Sequence, residues 1–299
     1  MAREIIAEDL PKVKKLLKKV FNVEDYEKIE RMGGLTNHTY HVWIDGGKEY
    51  VVRIPGEGTE EMIVRQDEKV STELACELGI DAKLLYFGDD GSKVTEYIAN
   101  AVTMNADTMN EPERIEQAAL IFNKLHKCGK NTKVPFEVFD MAAGYEKIIS
   151  DNNVPMFDDY DLVKSQVMDI KMVIDEKCDT TRVPCHNDSL CENWVVGNER
   201  MYLIDWEYAG MNDPMWDLAD ISIEASYDHA HVEILLKAYY GIEPDSMKWQ
   251  HFLANKIYVD YLWTLWAKTR VPFDGQPMED WAVERYTRLK ANIDAFKSI

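Results

Sequence analysis

The chain has 299 residues and a formal net charge of −20, because 54 Asp and Glu outnumber 34 Lys and Arg. Hydrophobic residues make up 46% of it, which is enough for a sizeable core and excludes a wholly disordered chain. The acidic excess argues against nucleic acid or an anionic membrane as the main partner, since each phosphate contact would oppose the field of the whole protein. We therefore expect a small-molecule partner, and a cationic one suits this charge best.

Cysteine usage and apolar runs indicate the compartment. The five cysteines are odd in number and scattered along the chain, which argues against a secreted disulfide framework. The start of the chain has no apolar signal-peptide core, and no apolar run approaches the roughly 20 residues that span a bilayer. These features predict a reduced, soluble, cytoplasmic protein without membrane insertion, and they leave its oligomeric state open.

An amphipathic helix is predicted first, from about Glu8 to Phe21. Leucine, valine and phenylalanine side chains repeat along one face, and the other face carries five lysines, at positions 12, 14, 15, 18 and 19. Such a basic face occurs on membrane-surface helices and on ordinary outer helices. We favour the ordinary, solvated face.

A small antiparallel sheet is predicted next. Apolar residues alternate over 40–44, and an Asp-Gly-Gly turn leads to a returning strand at 50–54. A helix follows over 60–78 and ends at a glycine. A second strand pair, at 84–87 and 94–98, encloses another glycine turn. This order, hairpin, helix and hairpin, predicts a sheet that carries one helix.

Beyond about residue 100 the pattern becomes mainly helical. The candidate helices span residues 112–127, 159–177, 214–226, 230–240, 247–268 and 279–297. One strand-rich stretch interrupts them at 183–204. We therefore predict an α+β fold with a small antiparallel β lobe over 1–99 and a larger, mainly helical lobe over 100–299, with the ligand cleft between the lobes.

The stretch most informative about chemistry contains H-x-D-x-x-x-x-N, with His186, Asp188 and Asn193 as its fixed residues. A predicted hairpin follows, with its turn near Glu199, and Asp205 comes at the end of its second strand. Because paired strands lie about 5 Å apart, Asn193 and Asp205 are expected to meet at the open end of the hairpin. Two carboxylates and an amide oxygen near one point suit a phosphotransferase that uses a Mg²⁺-nucleotide.

This stretch resembles the catalytic loop of protein kinases, but the later Ile204-Asp205-Trp206-Glu207-Tyr208 departs from their D-F-G. The combination resembles the choline/ethanolamine kinase family of the aminoglycoside phosphotransferase-like superfamily, and most of all its bacterial choline kinases. The resemblance implies a protein-kinase-like two-lobe fold, with ATP and Mg²⁺ as cofactors. It also implies that Asp188 accepts the proton of the substrate hydroxyl, that His186 braces the loop, and that Asn193 and Asp205 bind the metal.

A zinc site formed by Cys185, His186 and Cys191 is an alternative use of the same stretch. Paired C-x-x-C spacing and a convincing fourth ligand are missing, so we favour the kinase interpretation.

The N-terminal part resembles the nucleotide half of the same family. The run Gly33-Gly34-Leu35-Thr36-Asn37 matches its glycine loop, which implies phosphate contacts by Gly34, Thr36 and Asn37. By itself a Gly-Gly pair indicates only a turn.

Arg53 takes the place of the kinase strand lysine, and its guanidinium suits phosphate oxygens. The expected acidic partner of Arg53 is Glu68, with Asp67 and Glu73 as alternatives. Further along, Glu96 and Ile98 resemble the hinge whose backbone binds adenine. A plain strand end explains the same residues.

Trp263 and Trp266 lie three residues apart on one predicted helix face, and Trp281 follows on the next helix. Core packing is the ordinary explanation of such a pattern. The family resemblance implies substrate contacts at Glu207, Tyr208, Glu224, Trp263, Trp266 and Trp281. Among these, the aromatic residues would form a cage around trimethylammonium, because a quaternary ammonium has no N–H donors and is recognised by ring faces.

Together these features predict an ATP-dependent phosphotransferase that converts choline to phosphocholine. One alternative is a kinase of the same fold that acts on ethanolamine, another amino alcohol or an aminoglycoside. The other is a non-catalytic sensor of nucleotide or choline. The intact Asp188, Asn193 and Asp205 favour the enzyme.

Overall fold

The computed structural model describes residues 4–33, 37–56 and 64–298, which form two compact units. The first unit combines the chain up to Met104 with the segment Glu192–Ala209, and the second combines Asn105–Cys191 with Gly210–Ile299. The lobe boundary expected between residues 99 and 100 stays a prediction. Each compact unit combines two segments that are separate in the sequence. In the described residues, no helix combines the length and the apolar character needed to span a bilayer.

An antiparallel five-stranded sheet is the main element of the first unit, with the strand order β1-β2-β3-β5-β4. Its strands are β1 (Lys28–Gly33), β2 (Asn37–Ile44), β3 (Lys48–Pro55), β4 (Leu84–Phe87) and β5 (Lys93–Glu96). Tyr40, Val42 and Ile44 are all buried, as predicted, and His41 between them is buried as well. Helix α1 (Leu10–Phe21) packs its apolar face on these side chains, and α2 (Arg65–Glu77) follows β3.

The lysine face of α1 is largely paired within the first unit. Lys14 Nζ lies 2.7 Å from the Asp25 carboxylate, and Lys19 Nζ donates to the Tyr86 hydroxyl at 2.7 Å. Lys18 contacts Glu24. These pairs agree with the solvated-face interpretation, because acids and a hydroxyl of the same unit already meet the charges that a membrane would attract.

A smaller sheet completes the first unit, with the strand order β6-β8-β9. Its strands are β6 (Val102–Thr103), β8 (Trp194–Gly197) and β9 (Arg200–Leu203). Trp194 and Leu203 are fully buried at the open end of the β8–β9 hairpin. This end of the hairpin is therefore anchored, and the residues just beyond it are held in place.

The second unit is mainly helical, as predicted, with one two-stranded sheet of β7 (Val183–Cys185) and β10 (Gly210–Asn212). Its helices are α3 (Ala106–Met109), α4 (Pro112–His126), α5 (Val138–Asp151), α6 (Tyr160–Lys177), α7 (Pro214–Glu224), α8 (His229–Tyr240), α9 (Ser246–Asp274) and α10 (Gln276–Lys297). Helix α9 is buried over most of its middle, residues 251–268, and packs against α5, α6, α7 and α10. It forms the core of this unit.

Helix α5 was not predicted from the sequence, and α9 extends to Asp274 rather than ending near residue 268. Gly144 lies inside α5, and glycine weakens local helix propensity. Packing of buried Val138, Ala142 and Ile149 stabilises α5 in the fold. Tertiary contacts therefore outweigh the local signal here.

Candidate active site

The β8–β9 hairpin positions the two predicted metal ligands. Its strands pair from Trp194 with Leu203, and a two-residue turn, Asn198-Glu199, joins them. Both turn residues have positive φ, 50° and 61°, as a type I′ hairpin turn requires. The Ile204 N–H donates to the Asn193 carbonyl at 2.9 Å, so Asn193 faces Ile204. The predicted turn centre at Glu199 was therefore half a residue too late, and Asp205 is the next residue after the last pair.

Asp205 is a partly exposed acid close to a buried arginine. Its φ of 68° is uncommon for a residue other than glycine, and such conformations concentrate at functional sites. Its carboxylate lies 3.8 Å from Arg53 Nη1 and is 41% exposed, whereas the Arg53 side chain is 6% exposed. Amide and carboxylate oxygens are the ligands that Mg²⁺ takes from proteins, so Asn193 and Asp205 fit such an ion.

Arg53 on β3 has the partner that the sequence predicted. Its Nη2 lies 2.5 Å from Glu68 Oε1, and the same nitrogen donates to the Gly91 carbonyl at 2.9 Å. The Glu68 side chain is fully buried. A buried guanidinium held by an acid and a carbonyl is a fixed positive charge, because neither partner moves freely.

Arg65, at the start of α2, is a second arginine with a largely covered side chain, and the sequence analysis missed it. Its Nη1 donates to Glu68 Oε2 at 2.8 Å and lies 3.9 Å from Glu207 Oε2. Asn37 Nδ2 donates to the same Glu207 oxygen at 3.1 Å. The sequence pattern that could have identified Arg65 is weak, because an arginine three residues before a glutamate on a helix is common.

Glu207 therefore lies among residues of the first unit. The substrate contact that the family resemblance implies for Glu207 stays a prediction. Burial, together with the charges of Asp205 and Glu68, raises the pKa of Glu207 to about 7. Asn37 and Arg53 oppose this rise by favouring the carboxylate. The contacts of Glu207 thus connect the metal-ligand hairpin to the start of β2.

The turn before β5 contains Gly91, at a position that only glycine fits. Its φ is +84°, and a Cβ at this position would lie 2.5 Å from Arg65 Nε. The carbonyl of the same residue accepts from Arg53. A side chain at this position would collide with Arg65, while the backbone carbonyl would still have to accept from Arg53. Of the predicted glycine loop, Gly34 and Thr36 lie outside the described residues.

The predicted hinge follows β5. The Glu96 N–H donates to the Lys83 carbonyl at 3.0 Å, and the Tyr97 N–H donates to the Glu49 carbonyl at 3.3 Å. The Tyr97 ring stacks on His41 with centroids 3.6 Å apart. Two N–H groups just before Ile98 are thus used within the sheet, so adenine recognition by this segment stays a prediction.

In the second unit, two acids of α7 hold the predicted catalytic loop. Asp217 accepts from the backbone N–H of His186 at 2.8 Å and from that of Asn187 at 2.7 Å. Asp220 accepts from the Ser189 N–H at 2.5 Å. The backbone of the loop is therefore hydrogen-bonded to α7 on both sides of Asp188. The sequence analysis had assigned no role to either of these two acids.

His186 is fully buried, and its Nδ1 accepts from the Asp188 N–H at 3.3 Å. This contact suits the expected bracing role of His186. Asp188 itself belongs to the second unit, whereas Asn193 and Asp205 belong to the first. The convergence of these three side chains on one ion stays a prediction.

His126 extends the polar network below the loop. Its Nε2 lies 3.0 Å from Asp217 Oδ2, and its Nδ1 lies 2.9 Å from the Tyr239 hydroxyl. Within the described ranges, His126, Cys185 and Asp217 form the one group of three side chains close enough to hold a metal ion. Three hydrogen bonds already reach the two oxygens of Asp217, so we assign this group to loop support. It differs from the zinc alternative considered in the sequence analysis.

The three tryptophans predicted to meet substrate do lie together. The rings of Trp263 and Trp266 are 6.1 Å apart at 87°, and those of Trp266 and Trp281 are 5.8 Å apart at 82°. Trp263 is buried, while Trp266 and Trp281 are half-buried. The planes of successive rings are thus nearly perpendicular to each other. Tyr208 belongs to the first unit.

Glu224, the last residue of α7, forms an ion pair with Arg285 of α10. Arg285 was not identified from the sequence. The acid expected beside a substrate cation therefore already has a cationic partner within the same unit.

Comparison with known proteins agrees with this geometry. Residues 29–268 match the family model described as choline/ethanolamine kinase. A choline/ethanolamine kinase family protein from Mesorhizobium loti is 32% identical, with a TM-score of 0.83 over 95% of this chain and 94% of that one.

Two LicA structures are also similar. The choline kinase LicA from Streptococcus pneumoniae is 30% identical, with a TM-score of 0.81 over 97% of this chain and all of that one. A LicA complex with AMP is 28% identical, with a TM-score of 0.77 over 97% of this chain and all of that one. The chain belongs to the choline/ethanolamine kinase family and is a small-molecule kinase that uses a nucleotide.

Proposed function

We propose that this kinase transfers the γ-phosphoryl group of ATP to the hydroxyl of choline. The observation that carries the choice of choline is the set of three tryptophans at right angles in the helical unit. Ring faces attract a cation that offers no hydrogen-bond donors, at about 0.5–2 kcal/mol for each face. The name of the similar Streptococcus pneumoniae protein, a choline kinase, supports the same substrate.

The buried arginines of the first unit form the nucleotide side of this proposal. Arg53 and Arg65 share Glu68, and their guanidinium groups supply the planar donors that suit phosphate oxygens. Asn37 begins β2 and donates to Glu207. Gly34 and Thr36, which precede it in the sequence, are proposed to contact the phosphates. Glu96 and Ile98 are proposed as the hinge that meets adenine.

Asn193 and Asp205 would hold Mg²⁺ at the open end of their hairpin. When bound, this ion neutralises phosphate charge during phosphoryl transfer. Glu207, held by Asn37 and near Arg65, keeps the hairpin joined to the phosphate-side residues.

Asp188 orients the substrate hydroxyl and accepts its proton, which strengthens the oxygen as a nucleophile. Its backbone lies between residues that α7 holds through Asp217 and Asp220. A loop fixed on both sides keeps the carboxylate in one position, and small misplacements of a catalytic group are costly.

Acceptor-dependent ADP release tests the substrate. Choline, ethanolamine, an aminoglycoside and methylthioribose are compared with a reaction that contains no acceptor. We expect kcat/KM for choline to exceed that of each other acceptor by at least about tenfold, which corresponds to about 1.4 kcal/mol of transition-state binding. A higher kcat/KM for another acceptor would identify that acceptor, rather than choline, as the substrate. ADP release that depends on no acceptor would contradict the proposed phosphoryl transfer.

Asp188→Asn tests the proposed base. Removing a general base is expected to lower kcat by about 10²–10⁴-fold, while nucleotide binding measured by calorimetry stays close to wild type. Glu192→Gln is the matched control, because it removes an exposed charge a few residues along the chain. An Asp188→Asn enzyme with normal turnover would remove Asp188 from this role.

A further inference from the structure

The carboxylate of Glu224 and the face of Trp281 are both occupied by Arg285. One guanidinium nitrogen of Arg285 contacts Glu224, and the guanidinium carbon lies 4.2 Å from the centre of the Trp281 ring. Arg285 itself is 2% exposed. A fixed cation of the protein therefore takes the acid and one face of the Trp281 ring that a small cationic substrate would otherwise use.

A second acid holds Arg285 in this position. Arg285 Nη1 lies 3.3 Å from Asp260 Oδ1, and Asp260 is fully buried on α9. Arg288 binds the same carboxylate through two nitrogens, Nε at 2.9 Å and Nη2 at 2.7 Å. Arg285 thus pairs with both acids and Arg288 pairs with Asp260, so neither carboxylate is left without a cationic partner for a ligand to replace.

The two candidate amino alcohols make different demands on such a site. Ethanolamine carries a primary ammonium with three N–H donors, and desolvating it without acceptors is costly. Choline carries three methyl groups on nitrogen and needs aromatic faces rather than acceptors. A site that withholds its carboxylate while it presents tryptophans penalises ethanolamine more than choline.

We propose that Arg285 is the specificity-determining residue of the substrate site, because it ties up Glu224 and thereby disfavours primary ammonium substrates. This inference rests on the proposed choline kinase function. Arg285 acts as a positioning residue, since it works through Glu224 and Trp281. The ratio of kcat/KM for choline to kcat/KM for ethanolamine is the quantity that it controls.

The test measures this ratio in the wild type and in Arg285→Gln. Glutamine removes the positive charge and frees the Glu224 carboxylate to accept from an ammonium. We expect the ratio to fall at least about tenfold, mainly through a lower KM for ethanolamine. Arg285→Lys is the second variant, because one ammonium cannot hold Glu224 and Asp260 as the planar fork does, and a smaller fall in the same direction is expected.

Two further variants separate specificity from damage to the fold. Lys290→Gln removes a positive charge of the same helix that pairs with Asp159 instead, and it is expected to leave the ratio close to wild type. The double variant Arg285→Gln with Glu224→Gln removes the freed carboxylate, so the ratio is expected to return toward the wild-type value.

Each outcome bears on a separate claim. A wild-type enzyme without choline turnover overturns the proposed function itself. Choline turnover with an unchanged ratio in both folded Arg285 variants overturns the role of Arg285. An ethanolamine gain that persists in the double variant also overturns it, since Glu224 would then not be the acceptor.

Discussion

Asp81 is a fully buried acid next to the charged residues of the first unit. Its Oδ1 accepts from the Ala82 N–H at 2.6 Å, and its Oδ2 has no hydrogen-bond partner among the described residues. Burial raises the pKa of Asp81 to about 6, and nearby Lys93 opposes this rise. Such a group binds its proton more tightly in the folded state than in the unfolded chain. The free energy of unfolding therefore falls as the pH rises from the ordinary pKa of an aspartate, about 4, through about 6.

Asp81→Asn is therefore expected to stabilise the protein at pH 8, by up to about 3 kcal/mol, because asparagine carries no charge to bury. At pH 4 the native Asp81 is already protonated, and the gain is expected to be small. Urea unfolding at both pH values measures the difference. An equal effect at pH 4 and pH 8 would contradict the assignment of a raised pKa to this carboxyl. The exposed Asp45→Asn serves as a control that removes the same charge from a turn.

Helix α7 carries its acids at a spacing of three and four residues, Asp217, Asp220 and Glu224, which places them along one face. The first two bind the backbone of the proposed catalytic loop, and the third pairs with Arg285. One helix thus supports the proposed base and holds the proposed specificity residue. These roles share a rigid element, and sites on helices are positioned better than sites on loops alone.

Asp217→Asn is expected to lower kcat at least about tenfold, because one amide oxygen cannot replace two carboxylate oxygens that accept three hydrogen bonds. The KM for nucleotide is expected to change little. Steady-state kinetics, with circular dichroism to confirm folding, provides the measurement. Asp245→Asn is the matched control, since Asp245 caps α9 and asparagine caps a helix equally well. Full activity of Asp217→Asn would show that the loop holds its position without α7.

At the scale of the whole molecule, the excess of acidic residues bears on the binding of nucleotide and metal. A chain of charge −20 attracts cations broadly, so a specific Mg²⁺ site must be separated from general screening. A ligand that binds only the folded state stabilises it by about 2.7 kcal/mol at a hundred times its Kd. Thermal stability therefore reports on the proposed site independently of turnover.

A non-hydrolysable ATP analogue is expected to raise Tm more with Mg²⁺ than with EDTA. Asp205→Asn should lose the Mg²⁺-dependent part of this increase, because it removes a proposed ligand. Glu199→Gln removes the same charge from the turn of the same hairpin and should keep the full increase. Equal loss in both variants, measured by differential scanning fluorimetry, would mean that Mg²⁺ acts only through the general acidity of the chain.

Much of the fold and part of the site follow from patterns that are local in the chain. The alternation at Tyr40, Val42 and Ile44 predicts β2, and helical periodicity predicts α4, α6 and α8 to within a residue or two. The catalytic loop and its hairpin lie within twenty residues of sequence, so turn chemistry brings Asn193 and Asp205 to one end. Local propensity and side-chain periodicity act over such distances, and the sequence carries them directly.

Contacts between distant residues are different in kind. The pairing of Arg65 with Glu207, of Asp217 with the loop, and of Arg285 with Glu224 joins residues that are far apart in the chain. No periodicity marks such pairs, because the packing of whole elements decides which charges become buried and must be satisfied. The family and its chemistry are therefore readable from the order of residues, whereas the charges available to each substrate depend on how the helices pack.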